Sequence, residues 1–170
     1  MLPYSLSPLN VKDLRNFFNQ FDFFDETNHT LKYIQIVQEL AFCQQVIIHE
    51  AFSLIDDEPL GFVALCVTHD EIDNIAGMLV EFVYVKPKYR SVISEFLDTK
   101  FSYMILDYTI EIALKLQKNV AINHVYLVPV NEKVRKVYLD YGFENIPGSG
   151  KNEYEDFMVF NLLDEDPVLM

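Results

Sequence analysis

The chain has 170 residues, 51% of them hydrophobic, which suits a single domain spanning residues 1–170 with a sizeable core. It carries 26 acidic against 13 basic residues, a net charge of −13, and a field of that sign repels phosphate backbones and anionic lipid. Composition therefore leads us to expect no nucleic acid and no membrane among the partners, and to expect cationic ones. No apolar run reaches the roughly 18 residues of a membrane span, and the start Met1-Leu-Pro-Tyr-Ser lacks the basic and apolar regions of a signal peptide. Cys43 and Cys66 have neither paired nor metal-type spacing and sit in apolar surroundings, so they read as reduced core thiols of a cytoplasmic protein.

In chain order, Leu2–Leu6 reads as a first strand closed by Pro8. Asn10 is placed to cap a helix through about Phe21, with Val11, Leu14, Phe17, Phe18 and Phe21 on its inner face. An acidic, aromatic linker follows over 22–30, and then a second helix from about Thr30 to Gln44. Val46–Ile55 and Leu60–Val67 read as a hairpin around Asp56-Asp57-Glu58-Pro59. A tight connection at Asp70–Asn74 leads into a long strand, Ile75–Lys86. A long helix reaches about Lys118, its apolar positions Leu97, Phe101, Met104, Ile105, Tyr108, Ile112 and Leu116 keeping helical rhythm. Asn123–Val128 is a strand, Asn131–Tyr141 a helix, and Phe143–Ile146 and Tyr154–Leu163 are closing strands around Pro-Gly-Ser-Gly.

Two segments carry more than local structure. The run Asn131-Glu-Lys-Val-Arg-Lys-Val-Tyr138-Leu-Asp-Tyr-Gly142-Phe143 places a good N-cap, an apolar face of Val134, Val137 and Tyr138, and a terminal glycine in register. It resembles the N-x-x-(A/V)-x-x-x-Y-x-x-x-G-F signature of the GNAT superfamily of N-acetyltransferases. Upstream, Val80-Glu-Phe-Val-Tyr-Val-Lys-Pro-Lys-Tyr-Arg90 resembles the central strand of that superfamily, apolar-E-x-x-x-V-x-P-x-Y-R. The element order is also the GNAT order. The resemblance is strong over 75–145, the cofactor half, and topological before it. It implies an α/β (α+β) GNAT fold: a central mixed, mostly antiparallel sheet of six to seven strands flanked by about four helices.

The same resemblance implies an acetyl-CoA-dependent N-acetyltransferase working by direct attack in a ternary complex. The acceptor is then a primary amine: a small amine, a polyamine or a protein amine. The central strand splays from its neighbour in the family, so Val83, Tyr84 and Val85 are expected to bind the pantetheine arm through their backbone. Arg90, Ser91 and Ser94 fall in the pyrophosphate region. Asn131 either helps hold the pantetheine arm or caps its helix only. Tyr138 either donates its phenolic proton to the departing sulfur or is a core tyrosine. Glu81 is either the base that takes the proton of the amine, directly or through water, or a solvated strand carboxylate. Phe21, Phe23 and Phe24 with Asp22, Asp25 and Glu26 either line an amine-binding cleft or pack as a loop. The four histidines lack metal-ligand spacing, so no metal is expected. A monomer or homodimer is expected.

One stretch departs from the family. Where R/Q-x-x-G-x-G/A brings backbone N–H groups to the pyrophosphate, this chain reads Arg90-Ser-Val-Ile-Ser-Glu95, without glycine. An ungapped reading puts Ile93 and Glu95 at the glycine positions and is the one favoured here. A gapped reading starts the long helix near Thr99, with Ser102 in the last small position. The departure leaves two alternatives: a GNAT-like binding module without catalysis, and an acyltransferase for another acyl-CoA.

Overall fold

The computed structural model describes residues 3–24, 26–69, 76–90, 92–94, 98–150 and 156–162. The strands are β1 (Tyr4–Pro8), β2 (Ile47–Ser53), β3 (Glu58–His69), β4 (Ala76–Val85), β5 (Ile93–Ser94), β6 (Thr99–Lys100), β7 (His124–Leu127), β8 (Glu144–Asn145) and β9 (Met158–Asn161). The α-helices are α1 (Leu14–Phe18), α2 (Asn28–Phe42), α3 (Phe101–Gln117) and α4 (Glu132–Tyr141). Seven strands form one sheet in the order β1-β2-β3-β4-β7-β9-β8, and β5 and β6 form a separate hairpin. β4 and β7 run parallel, whereas β1/β2, β2/β3, β7/β9 and β8/β9 are antiparallel. This is the mixed, mostly antiparallel sheet expected from the motifs.

The chain divides into two compact units, Met1–Cys66 with Glu81–Tyr108, and Val67–Val80 with Thr109–Met170. The first is organised around Phe62, whose ring lies 5.5–5.8 Å from those of Phe17, Phe18, Phe21 and Tyr84. That cluster explains why α1 is shorter than its periodicity suggests. The side chain of Asn10 makes no cap bond, and Val11–Asp13 is only a 3-10 turn. The helix then stops at Phe18, and Phe21 reaches the cluster from beyond its end. α2 begins earlier than expected because Thr27, not Thr30, is its cap: the Thr27 hydroxyl accepts from the Thr30 N–H at 3.2 Å.

The second unit buries Met78, Val80, Val125, Leu127, Phe143, Met158 and Leu162. Gly77 is required where β4 meets β7, since a Cβ there would stand 2.3 Å from the Tyr126 ring. α4 starts on Asn131, whose side-chain oxygen accepts from the Val134 N–H at 2.9 Å. It ends at Gly142 with φ of 122°, a conformation side-chain-bearing residues seldom adopt.

The long helix disagrees with the favoured reading. α3 starts at Phe101, and the β5/β6 hairpin occupies the stretch where the ungapped alignment places the helix start. The extra residues between Arg90 and Asn131 lie in that hairpin, so the gapped reading is the correct one. Asp70–Asn74 and Leu97, assigned above to a connection and to the helix face, fall outside the described residues.

Candidate functional site

β4 supplies the central feature. Its ladder with β7 runs from Gly77↔His124 to Val80↔Leu127 and goes no further among the described residues. Glu81–Val85 make no ladder on that edge among the described residues, and the Val85 carbonyl accepts from Arg90 Nε there. Which residues face that edge follows from strand alternation. The Lys86 N–H donates to the Leu60 carbonyl at 2.8 Å, and the Tyr84 carbonyl lies so close to Gly61 that a Cβ there would stand 2.0 Å from it. Tyr84 and Lys86 thus face β3, while Val83 and Val85 face the open edge. Of the three residues read as a backbone cradle, Val83 and Val85 point outward and Tyr84 does not. The Tyr84 side chain is buried in the Phe62 cluster instead.

Glu81 sits at the start of the open stretch, half-buried between Val80 and Phe82. Burial pushes its carboxyl above the usual carboxylate range. Burial also raises the Cys66 thiol, and the nearby Glu81 charge raises it further.

Arg90 is held within the first unit. Its Nε donates to the Val85 carbonyl at 2.7 Å, its guanidinium pairs with both carboxylate oxygens of Glu26, and it lies over the Tyr84 ring at 5.3 Å. Ser94 is buried in β5, pairs with Thr99 just before α3 and donates to the Tyr4 hydroxyl at 3.3 Å. Ser91 lies outside the described residues. The residue that does stand at the start of α3 is Lys100, its Nζ 5.6 Å from the centre of the Tyr103 ring. Motif reading missed it, because the hairpin that brings it there leaves no recognisable pattern.

A second ion-pair node closes the loop after β4. The Glu58 carboxylate accepts from Lys86 at 2.9 Å, from Lys88 and from the Tyr89 hydroxyl at 2.6 Å. Those donors hold its pKa down to about 2, the Lys88 hydrogen bond contributing most.

In the second unit, Asn131 caps α4, which occupies its carbonyl oxygen and leaves the amide NH₂ group of the side chain. Tyr138 lies two turns further on. Its ring is buried against Phe143, 5.7 Å between centroids, and the residue is 8% exposed. Among the described residues no group hydrogen-bonds its hydroxyl. Burial raises its pKa, so the phenol stays protonated at neutral pH. Beside it, Arg135 is buried and donates to Glu132, to the Asn145 side chain and to the Asp156 carbonyl, an anchoring role.

No protein-family model matches the chain, and no curated protein does. Solved structures do. AtaTR bound with acetyl-CoA superposes with a TM-score of 0.70 at 16% identity, covering 96% of each chain. The Tyr→Phe mutant of KacT gives 0.69 at 10% identity over 96% of this chain and 97% of that one. AtaT complexed with acetyl-methionyl-tRNAfMet gives 0.65 at 15% identity over 95% and 96%. The chain has the GNAT fold.

These GNAT neighbours correct the reading of partners. AtaT is solved with a charged tRNA, and the KacTA and AtaT-AtaR complexes are solved with DNA. Net charge therefore does not exclude nucleic acid for this fold, and the expectation of a small-molecule or protein amine without nucleic acid does not stand. The physical fault is one of range: charge screens within about 8 Å at physiological ionic strength, so a whole-chain sum says little about one face. Among the described residues no helix is long and apolar enough to cross a membrane, and no group of three metal-ligating side chains occurs.

Proposed function

We propose that the chain is an acetyl-CoA-dependent N-acetyltransferase acting on the α-amine of an aminoacyl-tRNA, with Glu81 as general base and Tyr138 as general acid. The observation that carries this reading is the Tyr138 phenol, buried by its ring yet without a hydrogen-bond partner among the described residues. The hydroxyl is not among the buried polar atoms left without a partner, so the ring is buried while the O–H stays open and available as a donor to a reacting group. The acceptor is suggested by AtaT, whose complex holds a molecule with its acetyl group on such an amine.

The chain's own residues fit the cofactor. Acetyl-CoA, when bound, supplies the acetyl group as a thioester. The Val83 backbone and the Val85 N–H turn to the open edge of β4, where they suit the amides of a pantetheine arm, the Val85 carbonyl being taken by Arg90 Nε. Lys100 and the first N–H groups of α3 offer a cation and helix-terminal donors to a pyrophosphate, a role that does not need glycine. Asn131 retains two amide protons for the arm.

Proton bookkeeping is modest for this acceptor. An α-ammonium has a pKa of about 8, against about 10 for an alkylamine, so a carboxylate with a raised pKa is a competent base near neutrality. Glu81 takes the proton that leaves the attacking nitrogen. Tyr138 gives its proton to the sulfur as the C–S bond breaks, and nitrogen takes over the acyl carbon. Cys43, exposed and not in the core as expected, and Cys66, half-buried, are both free thiols, which supports a cytoplasmic location. The test is transfer from labelled acetyl-CoA to a pool of charged tRNA. Label on the aminoacyl group supports the proposal, and a pool left unlabelled at high enzyme concentration refutes it.

A further inference from the structure

Arg135 is a buried charge that the chemistry above leaves unused. In α4 only Arg135 and Tyr138 are buried, while Val134 and Val137, expected on the inner face, are half-buried. Three residues apart on a helix, Arg135 and Tyr138 share a face. Tyr138 meets Phe143 through its ring alone, and its hydroxyl has no partner among the described residues. Ring packing of that kind sets a distance but gives little direction.

Directed bonds come from Arg135. Nε donates to Glu132 at 3.2 Å, but that carboxylate is 59% exposed and belongs to the same helix, so the pair is screened and does not place α4 on the sheet. The outer nitrogens leave the helix. Nη1 donates to the Asn145 side-chain oxygen in β8, and Nη2 to the Asp156 carbonyl, 3.5 Å away and two residues ahead of β9. Asp156 is itself held: it is buried, and its carboxylate accepts from the Gly148 and Gly150 N–H groups at 3.1 and 2.9 Å. A planar fork with two fixed acceptors defines an orientation, which an apolar contact does not. We infer that Arg135 is a positioning residue: by bridging Asn145 and Asp156 it sets the rotation of α4 about its axis and so aims the Tyr138 hydroxyl. The kinetic part rests on the transferase reading. The placement of the Tyr138 ring does not.

The test uses two variants. Arg135→Met keeps an unbranched apolar stem, and replacing a buried charge by an apolar side chain of similar size is often close to neutral for folding. Asn145→Ala removes one acceptor at an exposed position, where folding is at little risk. In single-turnover transfer from labelled acetyl-CoA to charged tRNA, Arg135→Met should slow the reaction about tenfold and Asn145→Ala about threefold, with coenzyme A affinity by calorimetry kept within about twofold. In a Tyr138→Phe background each should change the rate less than about twofold, because no hydroxyl remains to be aimed. Equal losses in both backgrounds would make Arg135 a structural anchor only and overturn the inference, as would undiminished transfer by Arg135→Met. If the wild-type chain transfers nothing, the transferase reading fails, and NMR of the protein labelled with ¹³C at the tyrosine ζ carbon decides this one. The Tyr138 resonance, assigned by its loss in Tyr138→Phe, should shift in Arg135→Met, and a resonance that stays in place would refute the positioning role.

Discussion

Tyr138 and His49 show how burial alone assigns opposite tasks to two polar side chains. Tyr138 keeps a protonated hydroxyl with no partner among the described residues, so Tyr138→Phe removes a donor and leaves the packing on Phe143 intact. Turnover should fall on the order of 10²-fold in single-turnover measurements, with acetyl-CoA affinity unchanged. His49 is buried on β2 with Nδ1 2.9 Å from the Tyr108 hydroxyl, and burial lowers its pKa to about 4. Its unfolded value is about 6.5, so between these two pH values the unfolded chain binds the extra proton. Stability should therefore decline as pH falls through that window and lose its His49 dependence below it. Urea midpoints across the window should flatten in His49→Gln, which keeps a hydrogen-bonding group for Tyr108 but cannot titrate. Both side chains were visible in the sequence, but only Tyr138 lay in a motif, and burial depth has no local sequence mark.

At the level of elements, legibility followed how local the cause was. Asn131, Gly142 and the Val80–Val85 run act through their own neighbours, and α4 and β4 form as their residues suggest. α1 fell short because its end is set by Phe62, a residue far away in the chain. The β5/β6 hairpin was missed because Leu97 and Phe101 continue a helical rhythm that the chain does not use as one helix. That hairpin yields a prediction with two signs. Lys100 at the start of α3 puts a cation beside the positive end of a helix dipole, which is unfavourable unless an anion arrives. Lys100→Glu should raise the melting temperature of the free protein slightly, by the equivalent of about 0.5 kcal/mol. The same change should weaken coenzyme A binding about tenfold, roughly 1.4 kcal/mol. Thermal unfolding with and without coenzyme A reads both, and a parallel shift of the two would remove Lys100 from the phosphate site.

Across the whole molecule, the fold was legible and the partner was not. Two motifs in the right order sufficed for the mixed sheet, since both report backbone requirements: a cap, a left-handed glycine, a run of strand-forming residues. The charge of −13 reports only an average over the surface. Within the first unit several charges are already matched, Glu58 by Lys86 and Lys88, and Glu26 by Arg90. The glycine-free approach to α3 makes cofactor binding the most exposed step of the functional reading. Calorimetric titration of the free protein with acetyl-CoA tests it directly. One saturable site is expected, with the melting temperature rising in step as ligand at 100 times its dissociation constant adds about 2.7 kcal/mol. No heat and no thermal shift at millimolar acetyl-CoA would contradict the transferase reading and leave a GNAT fold that binds something else.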